Sequence, residues 1–413
     1  MTDRPAAAPG MRHRSMRDHN LGVVLGEVAR RGTISRAGLA VATGLTKSTV
    51  SSLVGELVEA RLLVAEGRTG EGERGRPGIG LGLDGGHVAG LGCEIGARRL
   101  AVRVVDLRRR TRVRLERVGS NRRSPAAVFA ELAALAADAE RRAHAAGLTL
   151  VGAGLAIPGL LDHGPVDGGP AGGRRVVAAP NLGWRDVPLD PHLAGLPPRA
   201  GLPVAVDNEA NLAALGELRL GAGSGHPSFL VVTGEVGIGA GLVVGSGLYS
   251  GADGFAGELG HVVVVPGGAP CACGGRGCLE TVAGLPALLR AAGLDPDGGL
   301  APLLAALDRP AADPAGDAAR AAVDEAAAGL ALALTAAVHL LAPGLIVLGG
   351  TLAALGAVLV PRLDAALAAQ VGALRGSAPP VTTSALGTDA AVLGAALGVL
   401  DAVLADPVRI LPA

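Results

Sequence analysis

The chain has 413 residues, with 37 Lys and Arg balanced by 37 Asp and Glu, and only four cysteines. That length accommodates two or three domains, and zero net charge excludes nucleic-acid binding by bulk charge over the whole molecule. The first 84 residues carry 12 basic and 9 acidic side chains, a slight excess that permits a DNA-binding head.

Residues 1–20, MTDRPAAAPGMRHRSMRDHN, lack the apolar stretch of a secretory signal and are expected to form a mobile arm. In LGVVLGEVARRG, Leu21, Val24, Leu25 and Val28 recur at helical spacing, which predicts a helix with one apolar face, stopped by Gly32. Ser35 is a good N-cap for a second short helix, RAGLAVAT, which ends at Gly44. Thr46 caps a third, KSTVSSLVGELVEA, whose Val50, Leu53, Val54 and Leu57 share one face. The opposite face carries Lys47, Ser48, Thr49, Ser51 and Ser52. A helix, a Gly-containing turn and a helix with a small polar face follow helix-turn-helix logic, and such side chains suit a major-groove reader. The next segment, LLVAEGRTGEGERGRPGIGLGLD, has two apolar stretches around a charged, Gly-rich tip, the pattern of a hairpin wing. Arg74 and Arg76 would there reach phosphate or the minor groove. Residues 21–84 therefore read as a winged helix-turn-helix domain. Its candidate DNA contacts are Arg36, Thr46, Lys47, Ser48, Thr49, Ser51, Ser52, Arg74 and Arg76.

From residue 87 the texture changes. HVAGLGCEIGARRLAVRVVDL reads as strand, Gly turn and strand; LTLVGAGLAIPG, LPVAVDN, SFLVVTGEVGIGAGLVVGSG and GLIVLGG then alternate with Ala-rich helical segments. This is a mixed α/β pattern. The apolar run Leu330–Val347 is broken by His339, Pro343 and Gly344, so it predicts a buried helix and a strand, not a membrane span. Two lobes are expected, 87–207 and 208–388, with the last helix, 389–405, completing the first. With one Trp, one Tyr and three Phe, aliphatic side chains and alanine must supply most of the core.

Three of the four cysteines fall in CACGGRGCLE, at Cys271, Cys273 and Cys278, with His261 ten residues before the first. Three thiolates and an imidazole would fill a closed tetrahedral zinc site, leaving no position for water. The alternatives are unpaired thiols or a redox pair, and C-x-C is a poor redox spacing beside C-x-x-C.

The flanking text decides between them. GFAGELGHVVVVPGGAPCACGGRGCLE resembles the signature of the ROK family of bacterial repressors, open reading frames and sugar kinases. LAIPGLLD, AAPNLGW, VDNEANLAALGE, VGIGAGLVV and APGLIVLGGTL stand in family order, and the helix-turn-helix head resembles the repressor branch. The resemblance implies an actin-like (ribonuclease H-like) two-lobed sugar-kinase fold behind a winged helix-turn-helix domain. It implies structural Zn2+ on His261, Cys271, Cys273 and Cys278. It also implies a sugar site of Asn208, Glu209, Glu258, His261 and Glu280, since sugar hydroxyls need carboxylates and amides that take two bonds each. His261 would serve both, one ring nitrogen on the metal and the other on the sugar.

The departures concern catalysis. Family kinases carry N-D-A-N, with Asp as general base; here Glu209 stands in Asn208-Glu209-Ala210-Asn211. The longer side chain displaces the base by about 1 Å, which can cost about a hundredfold in rate. The kinase phosphate loop D-I-G-G-T reads Glu94-Ile95-Gly96-Ala97-Arg98. Gly96, Gly237, Gly239, Gly241, Gly349 and Gly350 remain as relics of nucleotide loops, and tight packing explains such glycines equally well. Asp207-Asn208-Glu209-Ala210 resembles the xylose-repressor branch. The expectation is a cytoplasmic, sugar-responsive repressor with no ATP and no catalytic residue, a homodimer or tetramer binding operator DNA and a monosaccharide effector, without membrane contact. The alternative is an ATP-dependent sugar kinase with an appended DNA-binding head.

Overall fold

The computed structural model describes residues 9–69, 78–163, 173–197 and 204–411. The head comprises α1 (Pro9–Arg31), β1 (Ile34–Ser35), α2 (Arg36–Thr43), α3 (Lys47–Glu59), β2 (Leu63–Thr69) and β3 (Gly78–Leu83). Its helix boundaries are set by local chemistry. Ser35 Oγ accepts the Gly38 N–H at 3.1 Å, Gly44 ends α2 in the left-handed conformation, and Thr46 Oγ1 accepts the Thr49 N–H at 3.2 Å. Leu21, Val24, Leu25 and Val28 are fully buried, as their spacing predicts. One expectation is corrected: α1 begins at Pro9, inside the segment read as a mobile arm. Arg17, on this extension, pairs with Glu56 of α3 at 2.6 Å, so an ion pair anchors a helical turn that has no apolar period. The wing strands β2 and β3 pair antiparallel, and β1 joins β3. The wing tip, with Arg74 and Arg76, lies outside the described residues.

The first lobe contains β4 (Val88–Ile95), β5 (Arg99–Asp106), β6 (Thr111–Val118), α4 (Pro125–Ala145), β7 (Thr149–Ile157), β8 (Leu160–Asp162), β9 (Arg175–Ala179), β10 (Trp184–Pro188), α5 (Asp190–Leu193) and β11 (Val204–Asn208). The second contains α6 (Glu209–Leu220), β12 (Phe229–Gly234), β13 (Ile238–Val244), β14 (Gly247–Leu248), α7 (Glu280–Ala283), α8 (Leu285–Ala291), α9 (Ala301–Leu307), α10 (Pro314–Leu341), β15 (Ile346–Leu348), α11 (Gly350–Ala354), α12 (Gly356–Arg375) and β16 (Val381–Thr383). The central sheets run β6-β5-β4-β7-β11 and β14-β13-β12-β15-β16. Both therefore follow the order third, second, first, fourth, fifth, with the first three strands antiparallel and the last two parallel to the first. The lobes repeat one topology, a duplication that no sequence period discloses. The apolar run near residue 340 splits into the end of α10 and β15, and Leu330, Leu334 and Val338 are fully buried in the second lobe's core.

The last helix, α13 (Ala390–Ala405), packs against β4 and β7 of the first lobe and lies along α6. Its start is pinned by Arg103, which is fully buried on β5 and donates to Asp389 from Nε at 3.0 Å and Nη2 at 2.7 Å. A buried guanidinium needs such a partner. At its other end Leu400, Val403 and Leu404 share one apolar cluster with Leu21, Val24 and Leu25 of the head. The head and the first lobe thus have a continuous core.

Candidate functional site

The candidate metal ligands come from one short stretch folded on itself. A 3-10 turn at Leu259–His261 presents the imidazole, and the loop 271–278 presents the thiols. The loop is closed by the Cys271 N–H to Gly275 C=O bond at 2.9 Å and by Gly277, whose positive φ of 71° and lack of a Cβ let it lie against the Val265 carbonyl. His261 Nδ1 lies 3.6 Å from Cys271 Sγ, and Cys273 Sγ lies 3.8 Å from Cys278 Sγ. All four ligand atoms fall within 4.8 Å of one another. Sulfurs bound to one tetrahedral zinc at 2.3 Å stand about 3.8 Å apart, so this cluster of one imidazole and three thiols has the donors and spacing to hold an ion such as zinc. The Gly275 N–H reaches Cys273 Sγ at 3.4 Å, and that bond holds the thiol's pKa below its usual value.

Next to this cluster the cleft between the lobes gathers the expected sugar residues. Asn181, Asn208, Glu209, Glu258, His261 and Glu280 line one pocket. His261 faces two ways: its Nδ1 is turned to Cys271 and its Nε2 lies 3.6 Å from Glu258 Oε2. Glu280 opens α7; its Oε2 accepts the Ile238 N–H at 3.3 Å. Asn208 is partly spent on structure, since Oδ1 caps α6 through the Ala210 N–H at 2.7 Å and Nδ2 donates to Gly159 C=O at 2.9 Å. One amide hydrogen and one lone pair remain for a ligand. Asn181 was not singled out in the sequence, although AAPNLGW contains it; an asparagine in a turn carries no local sign of a cleft.

Glu209, the first residue of α6, also lines a second cavity, of about 350 Å³, with Glu94 and Arg98 of the first lobe and Glu235 of the second. Burial pushes its pKa up to about 8, helped by the negative charges of Glu235 and Glu94. Burial likewise lifts Glu94 to about 7, against the pull of Arg99.

Packing accounts for several of the relic glycines. A Cβ at Gly241 would stand 2.2 Å from the Ala210 carbonyl oxygen, and one at Gly239 would stand 3.1 Å from the Ala210 Cβ, so both seat β13 against α6. Gly237 has no room beside Glu280, and Gly349 and Gly350 lie against the Thr233–Gly234 end of β12. At Gly96 the nearest atom is Oε2 of Glu235, from the opposite lobe. Glu235 takes the N–H of Ala97 at 3.0 Å and that of Arg98 at 3.1 Å.

On the head, Arg36, Lys47, Ser48, Ser51 and Ser52 are exposed. The Thr46 and Thr49 hydroxyls lie 2.8 Å apart within the α3 cap, which engages part of their capacity.

A two-lobed sugar-kinase-like domain behind a winged helix-turn-helix head defines a class of protein, and the comparisons agree with it. The ROK family profile matches residues 90–402 and the MarR family profile residues 23–75. The chain belongs to the ROK family. It is 31% identical to the xylose repressor of Bacillus spizizenii over 271 residues, 66% of this chain and 67% of that protein. It is 45% identical to the glucokinase of Halalkalibacterium halodurans over 144 residues, 35% of this chain and only 40% of that enzyme. Among solved structures it resembles a ROK family transcriptional regulator, a homologue of the Escherichia coli MLC protein, with a TM-score of 0.73 and 23% identity over 96% of this chain and 99% of that one. That likeness establishes the fold, head included.

Proposed function

We propose that the protein is a sugar-responsive transcriptional repressor that binds operator DNA through α2, α3 and the wing and senses a monosaccharide in the cleft. The observation that carries this reading is an unbroken path of close backbone contact from cleft to head. Asn208 and Glu209 form the N-terminal end of α6. Along α6, a Cβ on Gly216 would stand 2.4 Å from the carbonyl oxygen of Ala390, the first residue of α13, and the side-chain ion pair Arg219–Asp401, at 2.7 Å, adds to that contact. At the far end of α13, a Cβ on Gly22 of α1 would stand 2.3 Å from the Ala405 carbonyl oxygen. Contacts without intervening side chains have little slack, so a shift of α6 on sugar binding displaces the head. A second link joins the wing to the β5–β6 turn, where Arg108 bonds to Glu66 and to the Leu83 carbonyl.

In this reading the sugar bonds to Glu258, His261 Nε2, Glu280 and the spare amide capacity of Asn208. It must favour one lobe arrangement over the other to change operator affinity. The adjoining cluster would hold structural zinc through His261, Cys271, Cys273 and Cys278, and a metal with four protein ligands braces the cleft wall without reacting. In this reading the chain transfers no phosphate, because the longer Glu209 stands where the kinases carry Asp and the first phosphate loop is altered. As a homodimer in the cytoplasm it would meet a palindromic operator with two heads.

The test is a fluorescence-anisotropy titration of a selected operator fragment, repeated with D-xylose, D-glucose and a wider monosaccharide panel. Operator affinity should change at least tenfold with one sugar. If none alters it, the sensor role fails. Sustained ATP turnover with any sugar, abolished in Glu209→Ala, would instead support the kinase alternative.

A further inference from the structure

The duplicated topology makes two turns equivalent. The β4–β5 turn holds Gly96, Ala97 and Arg98; the β12–β13 turn holds Glu235, Val236 and Gly237. They meet across the cleft. Successive backbone N–H groups in such a turn form a cradle for an anion. Here the Ala97 and Arg98 N–H groups bond to the two carboxylate oxygens of one side chain, 3.0 Å to Oε2 and 3.1 Å to Oε1 of Glu235. The Gly96 N–H is turned away, to the Arg99 carbonyl at 2.8 Å. A Cβ on Gly96 would approach Glu235 Oε2 to 2.8 Å, so the glycine leaves the carboxylate room in its present position. The Arg98 guanidinium leaves the turn for the Asp297 carbonyl at 2.8 Å. From behind, Thr351 Oγ1 reaches the Glu235 carbonyl at 3.4 Å.

We propose that Glu235 is a built-in anion: its carboxylate occupies the backbone cradle of the first lobe, latches the two lobes together and closes that cradle to external phosphate. Bonds from neutral N–H groups to an ionised carboxylate are about twice as strong as neutral pairs, so one side chain suffices as an interlobe fastening. The latch is wired to the other half of the cleft. Three residues on, the Ile238 N–H bonds to Glu280 Oε2 at 3.3 Å. A ligand hydroxyl drawing Glu280 away would pull on the same turn; this coupling, unlike the latch, rests on the sugar-sensor reading.

Amide hydrogen exchange in the full-length, ligand-free protein reads the latch directly. Glu235→Ala should raise exchange at Ala97 and Arg98 at least tenfold, Glu235→Gln should fall between it and the unsubstituted chain, and Gly96 should not change. Calorimetry with inorganic pyrophosphate should show at least tenfold tighter binding to Glu235→Ala than to the unsubstituted protein. Unchanged exchange at Ala97 and Arg98, or equal pyrophosphate affinity, overturns the proposal. If Glu235→Ala does not fold, Glu235→Gln carries both readouts with the same signs. A chain that shows this contrast yet binds no sugar retains the latch and loses only the sensor reading.

Discussion

Gly394 of α13 lies so close to Leu212 of α6 that a Cβ at position 394 would stand 1.7 Å from the Leu212 carbonyl oxygen. Neither helix backbone can yield without moving the other, because both are buried along this seam. Gly394→Ala should therefore force the helices apart and destabilise the protein by about 3 kcal/mol, the upper range for overpacking. Gly398→Ala is the control: its Cβ would meet only the Leu215 Cδ2 at 3.3 Å, and the better helix propensity of alanine, about 1 kcal/mol, offsets that contact. Urea denaturation of the two variants should separate them by about 2 kcal/mol or more, within the usual range for core substitutions. Equal stabilities would mean that α6 and α13 are not in backbone contact.

The metal cluster predicts a different separation. Cys273→Ser removes one of four candidate ligands, and zinc content by plasma mass spectrometry should fall from near one per chain to near zero. Sugar affinity should fall with it, since His261 and Glu280 lose their brace, while operator binding by the head persists. Full sugar affinity in a protein shown to be zinc-free would refute the bracing role.

Glu209 sets a pH dependence. Burial raises its folded pKa to about 8 from the ordinary 4.5, with Glu235 and Glu94 adding to the rise. A raised acid binds more protons folded than unfolded, so it lowers stability progressively as pH climbs from about 4.5 to 8. Glu209→Gln should flatten this slope and be more stable than the unsubstituted protein at pH 8. One pKa unit is worth about 1.4 kcal/mol, so a gain of a few kcal/mol is expected in denaturant titrations. A variant equally stable at pH 5 but less stable at pH 8 would contradict the assignment.

On the head, capping and DNA contact can be told apart. Thr46→Ala removes the α3 cap and should cost about 1 kcal/mol of stability, whereas Lys47→Ala should leave stability unchanged. Lys47→Ala should instead reduce the slope of log affinity against log salt by about 1. An unaltered slope would place Lys47 away from the phosphates.

Local chemistry made much of this protein legible. The caps Ser35 and Thr46 act on N–H groups three residues away, and α2 and α3 lie where those caps predict. The thiols of 271–278 and His261 are close in the chain, so few turns are needed to bring them together. The start of α1 was not legible, because Arg17 is held by Glu56, a partner 39 residues away. Asn181 and Glu235 were missed for the same reason: nothing near them in the chain marks them as facing a cleft.

The sequence by itself determined the winged head, the four candidate metal ligands and the carboxylates beside them, which lie within a few turns of chain, and its resemblance to the ROK signature determined the family. Only the tertiary structure decided what the glycine-rich turns are for. A glycine that admits a phosphate and one that admits a neighbouring backbone look alike in sequence, since both merely lack a Cβ. Gly241 proves to seat a helix, and Gly96 admits Glu235, whose carboxylate reaches Ala97 from 138 residues away. That choice belongs to the folding of one lobe against the other, which no local pattern encodes.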